Sequence, residues 1–184
     1  ADMADRGNDH LQALRAALGP LADGTVPTLP NRWLAGPDER LLLGGVAFEF
    51  KHRGGAHTPG DLLVWLPQQR VLFAGDTVYV NRMLGVLPVS HTGRWLKTFE
   101  VIEQLGPLVL VPGHGEVTDL ATARADTQAY LQALRAHMKK AVDDGTDVSA
   151  AVKSFDARPF LRLLNAAELM PGNASRTYLE LERE

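Results

Sequence analysis

The sequence predicts an α/β fold in which short buried strands alternate with amphipathic helices. Three observations support this prediction. Residues 46–51 alternate apolar and polar side chains with a period of two, residues 62–66 and 71–74 form short apolar runs, and the second half of the chain carries apolar residues at helical spacing. Because strands and helices are interleaved along the chain, we expect helices to pack against one sheet.

The residues before the first strand are predicted to form a helix and an irregular connection. The helix is expected to begin at Asn8 or Asp9, which are good capping residues, and to end before Gly19. Residues 20–39 are rich in proline and glycine, which is typical of a segment without regular structure.

The centre of the chain predicts a β-hairpin, a helix and a further strand. The apolar runs 62–66 and 71–74 are joined by a tight polar turn, as in a hairpin whose strands are buried. A helix is predicted from Thr92, and a buried strand over 108–111 is expected to end at Pro112.

The C-terminal third is predicted to be helical. The longest helix is expected over about 120–144, because apolar residues recur there at every third or fourth position. Shorter helices are predicted over 148–155 and 158–165, and Asn173 is expected to cap a last one.

Composition and charge exclude several classes of protein. Apolar residues make up 45% and charged residues 22%, the balance of a soluble globular protein, and the compartment, cytoplasm or periplasm, stays open. The net charge of −3, without a basic cluster, argues against nucleic-acid and anionic-membrane partners. The chain has no cysteine, which excludes disulfides, thiolate metal sites and a cysteine nucleophile. A metal would therefore be held by His, Asp or Glu.

Three short motifs each place a potential metal ligand at the end of a predicted strand. They are AHTPGD with His57, FAGDT with Asp76, and VPGHG with His114. Taken singly, a histidine or a Gly-Asp pair at a strand end is more often an ordinary turn residue. The glycines on both sides of His114 are less common, since they permit unusual backbone angles and close approach of the chain.

In this order and spacing, HTPGD, FAGD and PGHG resemble the second half of the metallo-β-lactamase fold hydrolases, over about residues 40–145. The stretch RMLGVLPVSHTGRW and the C-terminal helices are most similar to the quinoprotein-relay-type metallohydrolases. The resemblance implies an αβ/βα sandwich with a dinuclear centre, usually of zinc, with iron or manganese as alternatives. It implies that His57 binds the first metal, that His114 binds the second, and that Asp76 bridges both and positions the nucleophilic water.

The family's His-x-His-x-Asp-His loop has no counterpart in this chain, because no two of its six histidines are separated by a single residue. His10 is interpreted as structural or exposed, and His52 and His137 as partly or fully solvated. His91 is expected to be exposed or to contact substrate. Asp61 either orients a ligand histidine or shapes a turn, and both alternatives stay open.

The whole chain, 1–184, is therefore interpreted as a single metallo-β-lactamase-like domain that lacks its N-terminal half. A lead-in over 1–40 is followed by a motif-bearing core over 41–145 and a helical extension over 146–184. Half a sandwich would expose the inner face of its sheet, so three explanations compete. The chain is a piece of a longer hydrolase, it is completed by a second copy or another chain, or it is a metal-free relative.

The expected function is a metal-dependent hydrolase in which water activated by two metals attacks a small-molecule carbonyl of the lactam, lactone or thioester type. The alternative is a non-catalytic, metal-poor scaffold or oligomerisation module. Loop 80–94, with Met83, Leu84, Leu87 and Pro88, is expected to form a largely apolar pocket wall, which favours an uncharged substrate.

Overall fold

The computed structural model describes residues 2–184 and separates into two compact units, Ala1–Ala35 and Gly36–Glu184. The first unit contains helix α1 (Asp2–Leu18) and a 3₁₀ turn (Gly19–Ala22). Asn8 and Asp9, predicted to cap this helix, lie inside it instead. Met3, Ala4 and Arg6 are good helix formers, so the helix extends through Gly7 to Asp2.

The second unit is built on a five-stranded sheet whose strands neighbour one another in chain order. The first four strands pair antiparallel, and the fifth runs parallel to the fourth. Their bounds are β1 (Asp38–Leu43), β2 (Val46–His52), β3 (Leu62–Leu66), β4 (Val71–Tyr79) and β5 (Val109–His114). The predicted hairpin is β3–β4. Strand β1 was not predicted, because its sequence, DERLLL, does not alternate apolar and polar residues.

The helices of the second unit follow the predicted order. They are α2 (Thr92–Leu105), α3 (Leu120–Ala123), a π-helical turn (Arg124–Gln128), α4 (Ala129–Asp143), α5 (Val148–Ser154) and α6 (Ala166–Leu181). Only a 3₁₀ turn (Arg158–Phe160) forms in the predicted helix 158–165. No helix within residues 2–184 has the length and hydropathy needed to cross a bilayer.

Two further local predictions were wrong. Strand β5 continues through Pro112, which pairs with Gly75 where the register of β4 and β5 is shifted. An irregularity of this kind tolerates a residue without an N–H group. Asn173 does not cap a helix but lies buried within α6, where its side chain bonds the backbone of Leu84 and Val86.

The two faces of the sheet have different surroundings. On one face, Leu63 and Leu72 are buried in a cluster that includes Phe99 of α2. The opposite face carries four apolar residues that stand directly opposite one another across β2–β5: Phe50, Val64, Phe73 and Val111. We call these four residues the apolar row. Its member Phe73 is 43% exposed.

Candidate metal centre

The structure brings the three predicted site residues together around the carboxylate of Asp76. Its Oδ2 lies 3.6 Å from Nε2 of His57, and its Oδ1 lies 3.6 Å from Nε2 of His114. Each carboxylate oxygen therefore faces a different imidazole. This is the arrangement expected of a carboxylate that bridges two cations.

These separations suit a metal centre better than direct hydrogen bonds. Two ligand atoms bound tetrahedrally to one zinc ion, each at about 2.1 Å, are themselves about 3.4 Å apart. A charge-assisted hydrogen bond between imidazole and carboxylate is shorter than 3.6 Å. The donor set of two imidazoles and a carboxylate also suits zinc, iron or manganese. The three residues fit the implied metals, and their role as ligands stays a prediction.

His57 lies in the loop between β2 and β3 and is already oriented as a ligand. Its Nδ1 lies 2.9 Å from the carbonyl oxygen of Gly85, so Nδ1–H donates and Nε2 is left with a free lone pair towards Asp76. Its buried ring contacts Trp95 and Tyr79, with centroid distances of 5.3 and 5.8 Å. The ring therefore has one tautomer and little freedom to rotate.

The backbone of this loop is fixed from two sides. The carboxylate of Asp61 accepts hydrogen bonds from the N–H and the hydroxyl of Thr58. Ser90 donates its hydroxyl to the carbonyl of His57, and the N–H of His91 donates to Ala56. Of the two predicted roles of Asp61, the structure thus shows the turn role.

Asp76 is positioned by the close approach of β5 to β4. A Cβ atom added to Gly113 would lie 2.6 Å from the backbone nitrogen of Asp76 and would also collide with its Oδ1. Only glycine fits at such a contact. The first glycine of the PGHG motif, Gly113, therefore lets the strand that ends at His114 lie directly against Asp76.

His114 ends β5 and is less enclosed than His57. Its ring stacks on Tyr79, with centroids 4.7 Å apart and planes at 25°. The following Gly115 has φ +97°, and a Cβ atom there would collide with Val80. The Nδ1 of His114 lies 3.4 Å from Nη1 of Arg82.

Tyr79 and Arg82 were missed by the sequence prediction, although both contact a predicted ligand. No local motif marks them, because Tyr79 is the last residue of β4 and Arg82 follows the end of that strand. Burial raises the pKa of the Tyr79 phenol, and the nearby charge of Asp76 raises it further. The phenol is therefore neutral at physiological pH.

A second group of potential ligands consists of His91, Glu180 and Glu184, whose ligand atoms lie within 4.8 Å of one another. Glu180 is already occupied, however. It accepts hydrogen bonds from both backbone and hydroxyl of Thr92 at the start of α2, and it pairs with Arg135 at 2.8 Å. Because Arg135 also pairs with Glu184, a cation would have to displace a guanidinium. This geometry favours a structural role.

The structure also shows where His91, His137 and the residues of the predicted pocket wall lie. His91 is half-buried and caps α2, whereas His137 bonds the carbonyl of Ala151. Met83 and Leu84 are buried in the core and cannot line a pocket, so the predicted apolar wall is wrong for these two residues. Their neighbours Leu87 and Pro88 do line an open cavity of about 500 Å³, whose other residues include Arg176, Glu180, Arg183 and Glu184.

Comparisons with known proteins relate this chain to one superfamily. A family model for the metallo-beta-lactamase superfamily matches residues 4–114. A metallo-beta-lactamase type 2 from Bacillus cereus is 34% identical over 83 residues, which are 43% of this chain and 32% of that protein. The chain thus spans about a third of the length of this curated relative.

Two solved structures show the same fold. A metallo-beta-lactamase from Pontibacter korlensis is 27% identical with a TM-score of 0.52, covering 65% of this chain and 54% of that one. The stereoselective inverting sec-alkylsulfatase Pisa1 from Pseudomonas sp. is 20% identical with a TM-score of 0.66, covering 84% and 27%. The five-stranded sheet and the C-terminal helices are therefore shown to be metallo-β-lactamase-like, as predicted.

Proposed function

The chain belongs to the metallo-beta-lactamase superfamily, and on that premise we propose that it carries part of a dinuclear metal centre that activates water for hydrolysis. The observation that supports this proposal is the placement of His57 and His114 on different oxygens of Asp76. Membership of the superfamily suggests a metal-dependent hydrolase. The substrate class that we propose is a small molecule with a lactam, lactone or thioester-like carbonyl.

Each residue of the centre has a distinct task in this proposal. His57 Nε2 with Asp76 Oδ2 would hold one metal, and His114 Nε2 with Asp76 Oδ1 the other. When bound, the two cations supply the positive charge that makes water a nucleophile near neutral pH and that stabilises a developing oxyanion. Tyr79 and Trp95 shield the His57 ring from water and restrict its rotation.

The centre needs more ligands than His57, Asp76 and His114 provide. Zinc in catalytic sites has about three protein ligands, whereas His57, Asp76 and His114 give two for each metal when Asp76 is shared. We infer that the others come from a longer form of this chain, a second copy or another chain. The apolar row supports this inference, because a second sheet packed on that face would remove its side chains from water.

A second candidate function is a metal-poor scaffold or oligomerisation module. The apolar row also favours this alternative, since a face of that kind drives association whether or not metal binds. The two candidates differ in their metal content and in their dependence on His114.

The test is elemental analysis of metal per chain after gel filtration, with the mass of the particle measured by light scattering. We expect about two zinc ions per completed centre in a particle larger than one chain, and loss of zinc in Asp76→Asn and His114→Ala. His137→Ala, which removes a histidine outside the centre, is the matched control. A metal-free particle that is unaffected by His114→Ala would instead establish the scaffold.

A further inference from the structure

We propose that Asn173 and Arg176 of helix α6 are positioning residues for the candidate metal centre. They hold the carbonyl group of Gly85 in the place where it accepts a hydrogen bond from Nδ1–H of His57. This inference rests on the proposed function and gives the C-terminal helix a part in metal binding. The part it assigns is control of the affinity of His57 for its metal.

The carbonyl of Gly85 belongs to a segment that lacks regular structure. Residues 84–86 lie between β4 and α2 and form neither strand nor helix. No ladder of backbone hydrogen bonds therefore fixes this segment, and glycine is the residue with the greatest backbone freedom. The carbonyl needs partners from elsewhere in the chain to keep one orientation.

The side chain of Asn173 bonds the backbone on both sides of Gly85. Its Oδ1 accepts from the N–H of Val86 at 2.7 Å, and its Nδ2 donates to the carbonyl of Leu84 at 2.8 Å. Because one backbone group is a donor and the other an acceptor, the amide can face them in only one way. A single buried side chain therefore fixes the residues that flank Gly85.

Arg176 adds a third hydrogen bond to the same segment. Its Nη1 donates to the carbonyl of Val86 at 2.9 Å. Gly172, one helical turn earlier, leaves space for this side chain, since a Cβ atom there would lie 2.9 Å from Nη1. Asn173 and Arg176 are three residues apart and therefore share one face of α6.

The sequence of α6 is unfavourable for a helix at the place where it bonds segment 84–86. Pro171, Gly172 and Asn173 follow one another inside the helix, and all three have low helix propensity. Asn173 is also buried, which is tolerated only when its polar atoms have partners. Helix stability alone does not account for these residues, whereas a contact made by Asn173 and Arg176 does.

The position of the Gly85 carbonyl acts on the metal through the tautomer of His57. While its oxygen stays 2.9 Å from Nδ1, the ring proton stays on Nδ1, and Nε2 keeps a lone pair directed towards Asp76. When the carbonyl is displaced, the ring also adopts the tautomer with its proton on Nε2. That tautomer cannot bind a metal through Nε2, so the affinity falls.

The first experiment measures this tautomer by long-range ¹H–¹⁵N correlation spectra of ¹⁵N-histidine-labelled, metal-free protein at pH 8. We expect His57 to carry its proton on Nδ1 in the wild type and to populate both tautomers in Asn173→Ala. Alanine favours the helix, so the loss falls on segment 84–86. A wild-type tautomer in folded Asn173→Ala would overturn the proposal. Because no metal is present, the result does not depend on activity.

The second experiment measures zinc affinity by calorimetry. We expect the first zinc to bind about tenfold more weakly to Asn173→Ala and about threefold more weakly to Arg176→Met. Arg176 is only half-buried, so its variant decides the question if Asn173→Ala does not fold. Wild-type zinc affinity and a wild-type His57 tautomer in Arg176→Met would then overturn the proposal.

Tyr178→Phe is the matched control, because it removes a hydrogen bond that the same helix donates to the carbonyl of Thr146. We expect it to lower the free energy of unfolding and to leave the His57 tautomer and the zinc affinity unchanged. An equal loss of zinc affinity in this control would show that helix stability, and not the contact with segment 84–86, governs the centre. Equal zinc binding by the wild type and His57→Ala would instead refute the proposed function, so the two failures are distinguishable.

Discussion

His57 and His114 lie at the same distance from Asp76 but in very different environments. The side chain of His57 is 9% exposed, has a backbone acceptor for its Nδ1–H and is enclosed by two aromatic rings. The side chain of His114 is 40% exposed, contacts one aromatic ring and faces a guanidinium. Equal distances therefore do not mean equal readiness to bind a metal.

The difference arises from where the two histidines lie in the fold. The loop of His57 is bonded to the segment that carries Gly85 and Ser90, so its ring is surrounded by other elements. His114 ends a strand at the rim of the sheet and has fewer neighbours. We expect the His57 side of Asp76 to bind the first metal and the His114 side the second, more weakly.

The largest expected effect is that of Gly113→Ala. This substitution should displace Asp76 from both His57 and His114 and so abolish the difference between the two histidines. The added methyl group would overlap the backbone of Gly75 and Asp76, so we expect a loss of about 2–3 kcal/mol in the free energy of unfolding. Zinc binding should fall on both sides as well. Urea unfolding and a zinc titration measure the two effects.

Gly36→Ala is the control for this substitution, since a methyl group there would contact nothing within 4 Å. Wild-type stability and zinc affinity in Gly113→Ala would show that β5 does not position Asp76.

The expected difference in metal affinity between His57 and His114 is tested by His57→Ala and His114→Ala. We expect the first zinc to bind about 100-fold more weakly in His57→Ala but only about tenfold more weakly in His114→Ala, because a supported ligand contributes more. Isothermal titration of both variants gives the ratio. Equal losses would mean that enclosure and the Gly85 contact have no effect on affinity.

A smaller effect is expected from Glu180→Gln, which tests whether His91 binds a metal, as is proposed for His57 and His114. The loss of a charged acceptor for Thr92, Gly93 and Arg135 should lower the free energy of unfolding by about 1–2 kcal/mol and leave zinc binding unchanged. Thermal melts and zinc titration measure both. The control is Glu182→Gln on the exposed end of the chain, and reduced zinc uptake in Glu180→Gln alone would assign a metal to this group.

The smallest expected effect is that of Glu184→Gln, which distinguishes stabilisation by an ion pair from metal binding. The Arg135 guanidinium lowers the pKa of Glu184 below its ordinary value of 4.5. The charged pair therefore stabilises the fold above about pH 4.5, and this contribution is lost as pH falls through the lowered pKa. Glu184→Gln should lower Tm by about 1–2 °C at pH 7 and by less at pH 3. An equal difference at both pH values would contradict this origin.

Patterns within a few residues were sufficient to predict part of this molecule. Helix α2 and the β3–β4 hairpin follow from local apolar periodicity, and the three motifs identified His57, Asp76 and His114. These motifs were informative because a glycine next to a predicted ligand marks a close backbone approach, as at Gly113.

The remaining features depend on partners far along the chain. Arg82 and Tyr79 could be placed at the site only after β4 was known to extend to Tyr79. Leu84 became a core residue because α6 covers it and Asn173 bonds its carbonyl oxygen. Asn173 itself has the sequence signature of a cap, and a long-range contact overrode that local preference.

The contact between Gly113 and Asp76 also bears on how this molecule can change over evolutionary time. Because two strands touch through a glycine, main-chain packing sets the spacing between the Asp76 and His114 strands. The exposed turn at 87–89 lies outside this packing and next to Ser90, which bonds the loop of His57. Variation in that turn can therefore reshape the cavity that Leu87 and Pro88 line while the strand spacing is inherited unchanged.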